Sequence, residues 1–284
     1  YDYDAPLDEA GRPTAKYWAF RAVIAKHTGQ RPAAMPEPSP PSPAFTVRLD
    51  KARSLLETAN QLGQARAFSQ LPTMEELGQY EGFAHYETVV GSPGVLEFGQ
   101  VRDRAQVFLN GKPIGVLARD LGERRIALPE PGRLSLLVEN LGRVNYGSRI
   151  GEATGLIGPA TLSGTALNDW RVTALDLDRI HAACAEAAPA AGETFSGPCI
   201  ATGAFDTPAP GADHFLHTGG WGKGVVWVNG FNLGRYWSRG PQRTLYLPAP
   251  ILRETGNTIT VLELHALRAA ARFVSEPELG PIEH

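Results

Sequence analysis

Few side chains of this sequence are spaced to do chemistry by themselves. His181-x-x-Cys184, Cys199 and His214-x-x-His217 supply residue types that bind zinc. Their spacings match no compact zinc module. The plainer expectation is histidines in surface loops and two cysteines that are buried, free or joined as Cys184–Cys199. Gly220-Trp221-Gly222-Lys223-Gly224 is rich in glycine, but it runs into a strand pattern and lacks the helix N-terminus that would hold a phosphate. It reads as a turn. Neither a Gly-x-Ser-x-Gly nucleophile elbow nor a Walker A loop occurs. Glu81 and Glu87 are the pair to consider for acid–base hydrolysis, but strand alternation scatters them and no paired motif supports them.

Aromatic residues are the richer lead. Trp221, Trp227, Phe231, Tyr236 and Trp237 crowd one short segment. Rings of this kind stack on the apolar faces of sugars, with Trp221 or Trp237 as the platform. Trp227, however, alternates with Val226 and Val228, which places part of the cluster in a core or an interface. A second polar group, Arg143-Val144-Asn145-Tyr146-Gly147, follows a strand pattern that ends at Glu139-Asn140. It is suited to hydrogen-bonding a neighbouring domain or a ligand, or to holding its own loop.

The elements that must position these residues are mostly strands. Phe45 to Leu49 alternates, Lys51 to Leu62 reads as a short helix, Met74 to Leu77 as a turn and Tyr80 to Val90 as a strand. An internal repeat stands out. Val107-Phe108-Leu109-Asn110-Gly111 leads to Ala127-Leu128-Pro129 at the same offset that separates Trp227-Val228-Asn229-Gly230 from Tyr246-Leu247-Pro248. Each copy closes with another strand, Leu134–Glu139 and Thr258–Leu264. Asn-Gly suits a tight turn of positive φ, so two β-sandwich domains of similar build are predicted. The first thirty residues differ: a strand end, a turn at Asp8 to Gly11, and a helix from Lys16 to His27 with Tyr17, Phe20 and Ile24 on one face and Gly29 as its stop. A lone strand–loop–helix cannot bury both its faces, so this piece belongs to a larger α/β unit. Between them Pro32, Pro36, Pro38, Pro40, Pro41 and Pro43 mark a linker, able to reach about 40 Å if extended as polyproline II.

The composition sets the outer limits. With 284 residues, 43% of them apolar, the chain can build two cored domains and is not mainly disordered. A net charge of −3 argues against a nucleic-acid partner. No apolar run is long enough for a membrane helix, and two cysteines make no disulfide framework. The sequence opens on Tyr1, and no signal peptide is visible. The expectation is that a start has been removed or that this is part of a longer protein, and the compartment stays open.

Three stretches carry a resemblance that runs in order through nearly the whole chain. Tyr1-Asp2-Tyr3-Asp4-Ala5-Pro6-Leu7-Asp8-Glu9-Ala10-Gly11, with Lys16-Tyr17, resembles the end of the barrel in glycoside hydrolase family 35 β-galactosidases. Leu137 to Gly147, followed by Asp169-Trp170, is similar to that family's first β domain. Gly220 to Trp237, with Gly240-Pro241-Gln242, is similar to its last. The resemblance implies a mainly β fold: two galactose-binding-like jelly-roll sandwiches preceded by a remnant, the last strand end and helix, of a (β/α)8 TIM barrel. The expected boundaries are 1–30 for the remnant, 31–50 for the linker and first strand, 51–190 for the first sandwich and 191–284 for the second.

The family's reaction is hydrolysis of terminal β-galactose with retention, by two glutamates. Both belong to earlier barrel strands, and no Asn-Glu or Asn-Ala-Glu occurs in this sequence. The chain is therefore expected to hold no catalytic residue, no cofactor and no metal. It would meet its β-galactoside only through the parent barrel, a missing domain or a separate chain. By the resemblance Tyr3 is the tyrosine that approaches galactose, and Asp2 and Asp4 are expected to hold its loop in shape. Arg143, Asn145 and Tyr146 are expected on the barrel-facing side, with Asn145 and Tyr146 at the rim. The rivals are a stand-alone sugar-binding module and a subunit of a split enzyme, docked through the Tyr17, Phe20 and Ile24 face.

Overall fold

The structure is a computed structural model, which describes residues 5–31, 33–35, 40, 42–185, 187–190 and 192–281. Helix α1 spans Ala15–Thr28 and stops at Gly29, whose φ of 63° is left-handed. Strands β1 (Phe45–Arg48) and β2 (Lys51–Ser54) precede helix α2 (Leu55–Leu62). Next come β3 (Ala65–Phe68), β4 (Gly82–Val90), β5 (Gly94–Arg102), β6 (Arg104–Leu109) and β7 (Lys112–Ala118). They are followed by β8 (Arg125–Leu128), β9 (Gly132–Asn140), β10 (Gly155–Leu162), β11 (Thr165–Ala166) and β12 (Trp170–Leu175). After helix α3 (Ile180–Ala185) come β13 (Ala188–Pro189), β14 (Thr194–Ser196), β15 (Cys199–Phe205) and β16 (His214–His217). The last are β17 (Lys223–Val228), β18 (Phe231–Trp237), β19 (Thr244–Leu247), β20 (Asn257–Glu263), β21 (Ala266–Arg268) and β22 (Ala270–Val274).

The chain divides into two compact units. The first sandwich is Leu56–Ala183. Its six-stranded sheet runs β3-β12-β4-β9-β6-β7 and its four-stranded sheet β11-β10-β5-β8. Tyr86, Phe98, Leu136 and Trp170 fill the space between them, each worth roughly 2–3 kcal/mol when fully buried. The second sandwich joins Tyr1–Leu55 to Cys184–His284. Its sheets run β13-β2-β15-β20-β17-β18 and β1-β22-β16-β19. Trp221, Val226, Tyr236, Ile259 and Phe273 make its core.

This division differs from the expected boundaries at 51 and 190. β1 pairs with β22, Phe45 opposite Phe273, and β2 pairs with β15, Ala52 opposite Ala201. The Phe45 ring stacks on Phe273 with centroids 4.6 Å apart, while Val47 and Leu49 sink into the core. The proline-rich run ends where a strand of the second sandwich begins, and burial of Phe45, Val47 and Leu49 fixes that strand to the far end of the chain. Lys51–Ser54, expected as helix, is strand for the same reason: an unpaired edge of β15 is available to it.

The internal repeat is real in three dimensions. β4, β9, β6 and β7 lie in the same order as β15, β20, β17 and β18. Both hairpins turn on Asn-Gly with positive φ throughout, 51° and 76° at Asn110-Gly111, 51° and 85° at Asn229-Gly230. Both carry a register irregularity at the same place, after Val107 and after Val226.

The amino-terminal piece is tied to the second sandwich through its loop. Arg12 pairs with Asp8 at 2.7 Å and Glu276 at 2.8 Å, and stands over the Phe215 ring. Helix α1 buries none of its residues. Trp18, Phe20, Val23 and Ile24 are each about half exposed or more.

Candidate functional site

The glycine-rich run at Gly220 to Gly224 does form a cradle for an anion, and the anion is a side chain of the same sandwich. Glu263, at the end of β20 and fully buried, accepts the N–H groups of Gly222 and Lys223 at 3.0 Å and of His265 at 2.8 Å. The Tyr236 hydroxyl donates to it at 2.7 Å. Burial pushes the Glu263 carboxyl up, and these donors pull it back without reversing the shift. A Cβ on Gly224 would lie 1.8 Å from the Leu262 carbonyl oxygen, so this strand position admits glycine alone without a shift of the backbone. The cradle is filled from within and offers no phosphate site.

The aromatic cluster is largely core. Trp221, Trp227 and Tyr236 are buried, and Trp221 packs on Tyr236 with its Nε1–H on the Arg268 carbonyl. Lys223 Nζ lies 4.4 Å and the Arg239 guanidinium 4.6 Å from the centre of the Trp237 ring, so two cations already stand over the ring a sugar would need. Phe231 remains about half exposed at the hairpin tip. A continuous stacking platform on Trp221 or Trp237 is not formed.

The arrangement best suited to contact lies in the first sandwich, in the loop 141–153 between β9 and β10. Its two ends are seated by buried polar side chains. Asn140 donates to the Tyr80 carbonyl at 3.1 Å and to the Thr154 hydroxyl at 3.3 Å, and accepts the Gly142 N–H at 2.8 Å. Asp103 accepts the Leu141 N–H at 2.9 Å and pairs with Arg119 at 3.1 Å. Arg119 also pairs with Glu152, and Arg102 donates to the Ala153 carbonyl at 2.8 Å. Glu75 accepts the N–H and hydroxyl of Thr154, both at 2.9 Å, and pairs with Arg143 at 2.9 Å. Burial alone would raise the Glu75 carboxyl; the donors from Thr154 and Arg143 outweigh it and hold the group below the ordinary carboxylate range.

Above this seat the loop is bare. Asn145 is exposed, Tyr146 is 89% exposed and Ile150 62%. The guanidinium of Arg143 lies over Tyr80, itself exposed, at 6.0 Å. The loop is thus clamped at both ends and bare at its tip.

The remaining expected residues are dispersed. Tyr3, with Asp2 and Asp4, lies outside the described residues. Cys184 and Cys199 are buried free thiols, each pushed up to about 12 by burial. Among the described residues, no group of three or more His, Cys, Asp or Glu side chains is placed to hold a metal ion. Glu87 pairs with Arg133, and Glu81 lies just before the same strand, six residues from Glu87, roughly 20 Å along an extended chain. They form no catalytic pair. Sequence reasoning missed Glu75, Asp103, Arg119 and Glu152, which build the loop seat. They lie far apart in the chain, and only their strands' pairing brings them together.

Two stretches match family models of known proteins. Residues 72–176 match the first all-β domain of β-galactosidase, and residues 198–257 its galactose-binding domain. The chain is 37% identical to a β-galactosidase of Macaca fascicularis, over 99% of this chain and 46% of that protein. It is 40% identical to one of Bos taurus, over 93% and 45%, and 37% identical to a human β-galactosidase-1-like protein 2, over 99% and 45%. The chain thus spans a little under half the length of the curated relatives it matches.

Proposed function

This chain belongs to the β-galactosidase family, and from that premise we propose that its two sandwiches buttress a (β/α)8 barrel that hydrolyses terminal β-galactose. The barrel, not these sandwiches, holds both catalytic carboxylates. The observation that carries this reading is helix α1. Fourteen residues long, it buries none of its side chains and leaves Trp18, Phe20, Val23 and Ile24 in the open. A helix of that length is marginal in water without packing, and apolar surface of that kind marks a contact. The βα end of a barrel is the partner that its sequence resembles, in one chain or in a split pair.

Loop 141–153 is the part of the first sandwich best built to shape the rim of such a barrel, with Asn145 and Tyr146 as its contacts. Tyr3 would lie at the galactose, beyond the end of the last barrel strand, where the active sites of such barrels sit. The test is made on the full-length protein, with p-nitrophenyl β-galactoside as substrate. Phe20→Asp with Ile24→Asp is expected to abolish activity and to expose the barrel to proteolysis. Tyr146→Ala is expected to lower kcat/KM by roughly threefold or more with an unchanged melting temperature. Full activity in both variants would overturn the reading. Saturable galactose binding by the 284-residue chain alone would favour a sugar-binding module instead.

A further inference from the structure

The first sandwich has a second feature beside the loop seat, a cavity of about 380 Å³. Arg102, Arg119, Arg124 and Arg149 line it, against Glu123 and Glu152. We propose that it binds a sugar bearing an oxyanion, a uronate or a sulfated hexose. This inference rests on the first sandwich alone and stands or falls separately from the barrel.

The charges do not cancel. Arg119 is taken up by Glu152 and by Asp103, and Glu152 also stands 3.6 Å from Arg102, so these two arginines are balanced and the excess must come from Arg124 and Arg149. Glu123 accepts the Ala118 N–H at 3.2 Å. Arg102 directs its other donors at neutral groups, the Gln100 amide oxygen and the Ala153 carbonyl. Arg124 reaches Glu97 only at 3.6 Å, and Arg125 draws on the same carboxylate at 3.4 Å. The Arg149 guanidinium meets no acid among the described residues. The cavity therefore keeps a positive excess, carried by a side chain whose planar fork fits carboxylate and sulfate.

The rest of the wall decides what body carries the anion. Val101 is packed in the sandwich core, so Gln100, the backbone of Gly122 and the charged side chains make the wall. Such a wall suits hydroxyls, not a hydrocarbon tail, and the volume is that of a small-ligand site.

The test titrates the 284-residue chain with galacturonate, galactose 6-sulfate, neutral galactose and inorganic sulfate, read by calorimetry and by amide chemical shifts. Saturation by either or both anionic sugars, weakening as salt is raised, supports the proposal, and the sugar that saturates identifies the anion. Arg149→Ala and Arg124→Ala should each weaken that binding about tenfold, with the melting temperature of the free protein unchanged. Binding of neutral galactose as tightly as the anionic sugars overturns the proposal. So does inorganic sulfate matching the sugars, wild-type affinity in both variants, or no saturation at all.

Discussion

The two sandwiches share one strand order and one hairpin, yet they finish it differently. In the second, the strand paired beside the hairpin, β20, ends on Glu263, and the chain wraps tightly round that carboxylate. In the first, the equivalent strand β9 has Val138 at that position: Val138 faces Ala105 as Glu263 faces Gly224. There the polar work moves two residues on, to Asn140, which with Asp103 holds the start of the loop 141–153. The difference teaches that the shared hairpin and core make the sandwich, while the residues just past that strand decide whether that end is closed on itself or left exposed.

The sharpest way to break this contrast is at the equivalent positions. Glu263→Ala takes the acceptor from the buried Lys223 N–H and the part-buried His265 N–H, and the shorter of two acceptors from the Gly222 N–H and the Tyr236 hydroxyl, and should cost about 4 kcal/mol. Val138→Ala only opens a small cavity, about 2 kcal/mol. Hydrogen exchange read peptide by peptide, together with urea denaturation, assigns each loss to its sandwich; equal costs would refute the contrast.

The turns come next. Asn229 bonds Asn257, which is fully buried, and the Ile251 carbonyl, both at 2.8 Å. Asn110 bonds Glu130 and the Pro131 carbonyl in an exposed setting. Both asparagines sit at positive φ, where alanine is strained. Asn229→Ala is expected to cost about 2 kcal/mol and Asn110→Ala about 1 kcal/mol, by the same denaturation measurement.

Acid should separate the two ends as well. The Glu75 carboxyl is lower in the folded chain than in the unfolded one, so it stabilises the seat above the unfolded value and loses that effect as pH falls through the folded one. The protection factor of the Thr154 amide, the exchange rate relative to its intrinsic rate at each pH, should therefore fall below the ordinary carboxylate range, and Glu75→Gln should remove most of that change. The smallest effect is expected at the tip. Tyr146→Ala in this chain should change stability by less than about 0.5 kcal/mol, because so little of that side chain is packed.

The hairpins were legible because Asn-Gly, the flanking alternation and the strand that follows are all local. The helix from Ala15 to Thr28 was legible too, down to Gly29. The fate of residues 45–54 was not. Pairing of β1 with β22 spans more than two hundred residues and leaves no mark on the local pattern, whereas the prolines before it do. Tyr146 and Asn145 could be singled out as polar residues grouped after a strand. Their clamp could not, since Glu75, Asp103 and Glu152 look like ordinary surface acids until β5, β6, β9 and β10 are in register. The aromatic run misled for a related reason: strand alternation turned Trp227 inward, and the cations over Trp237 come from Lys223 on the neighbouring strand and from Arg239 two residues on.

The second sandwich is assembled from both ends of the chain, with the first inserted between. During synthesis, strands β1 and β2 leave the ribosome about 145 residues before β15, a delay on the order of ten seconds at ordinary elongation rates. The first sandwich can close in that interval, since all its strands are contiguous. Phe45, Val47 and Leu49 must wait in water until the end of the chain arrives. The nascent protein therefore carries an unpaired, apolar strand while the intervening residues are made, and that strand is exposed to a chaperone or a stray β-edge.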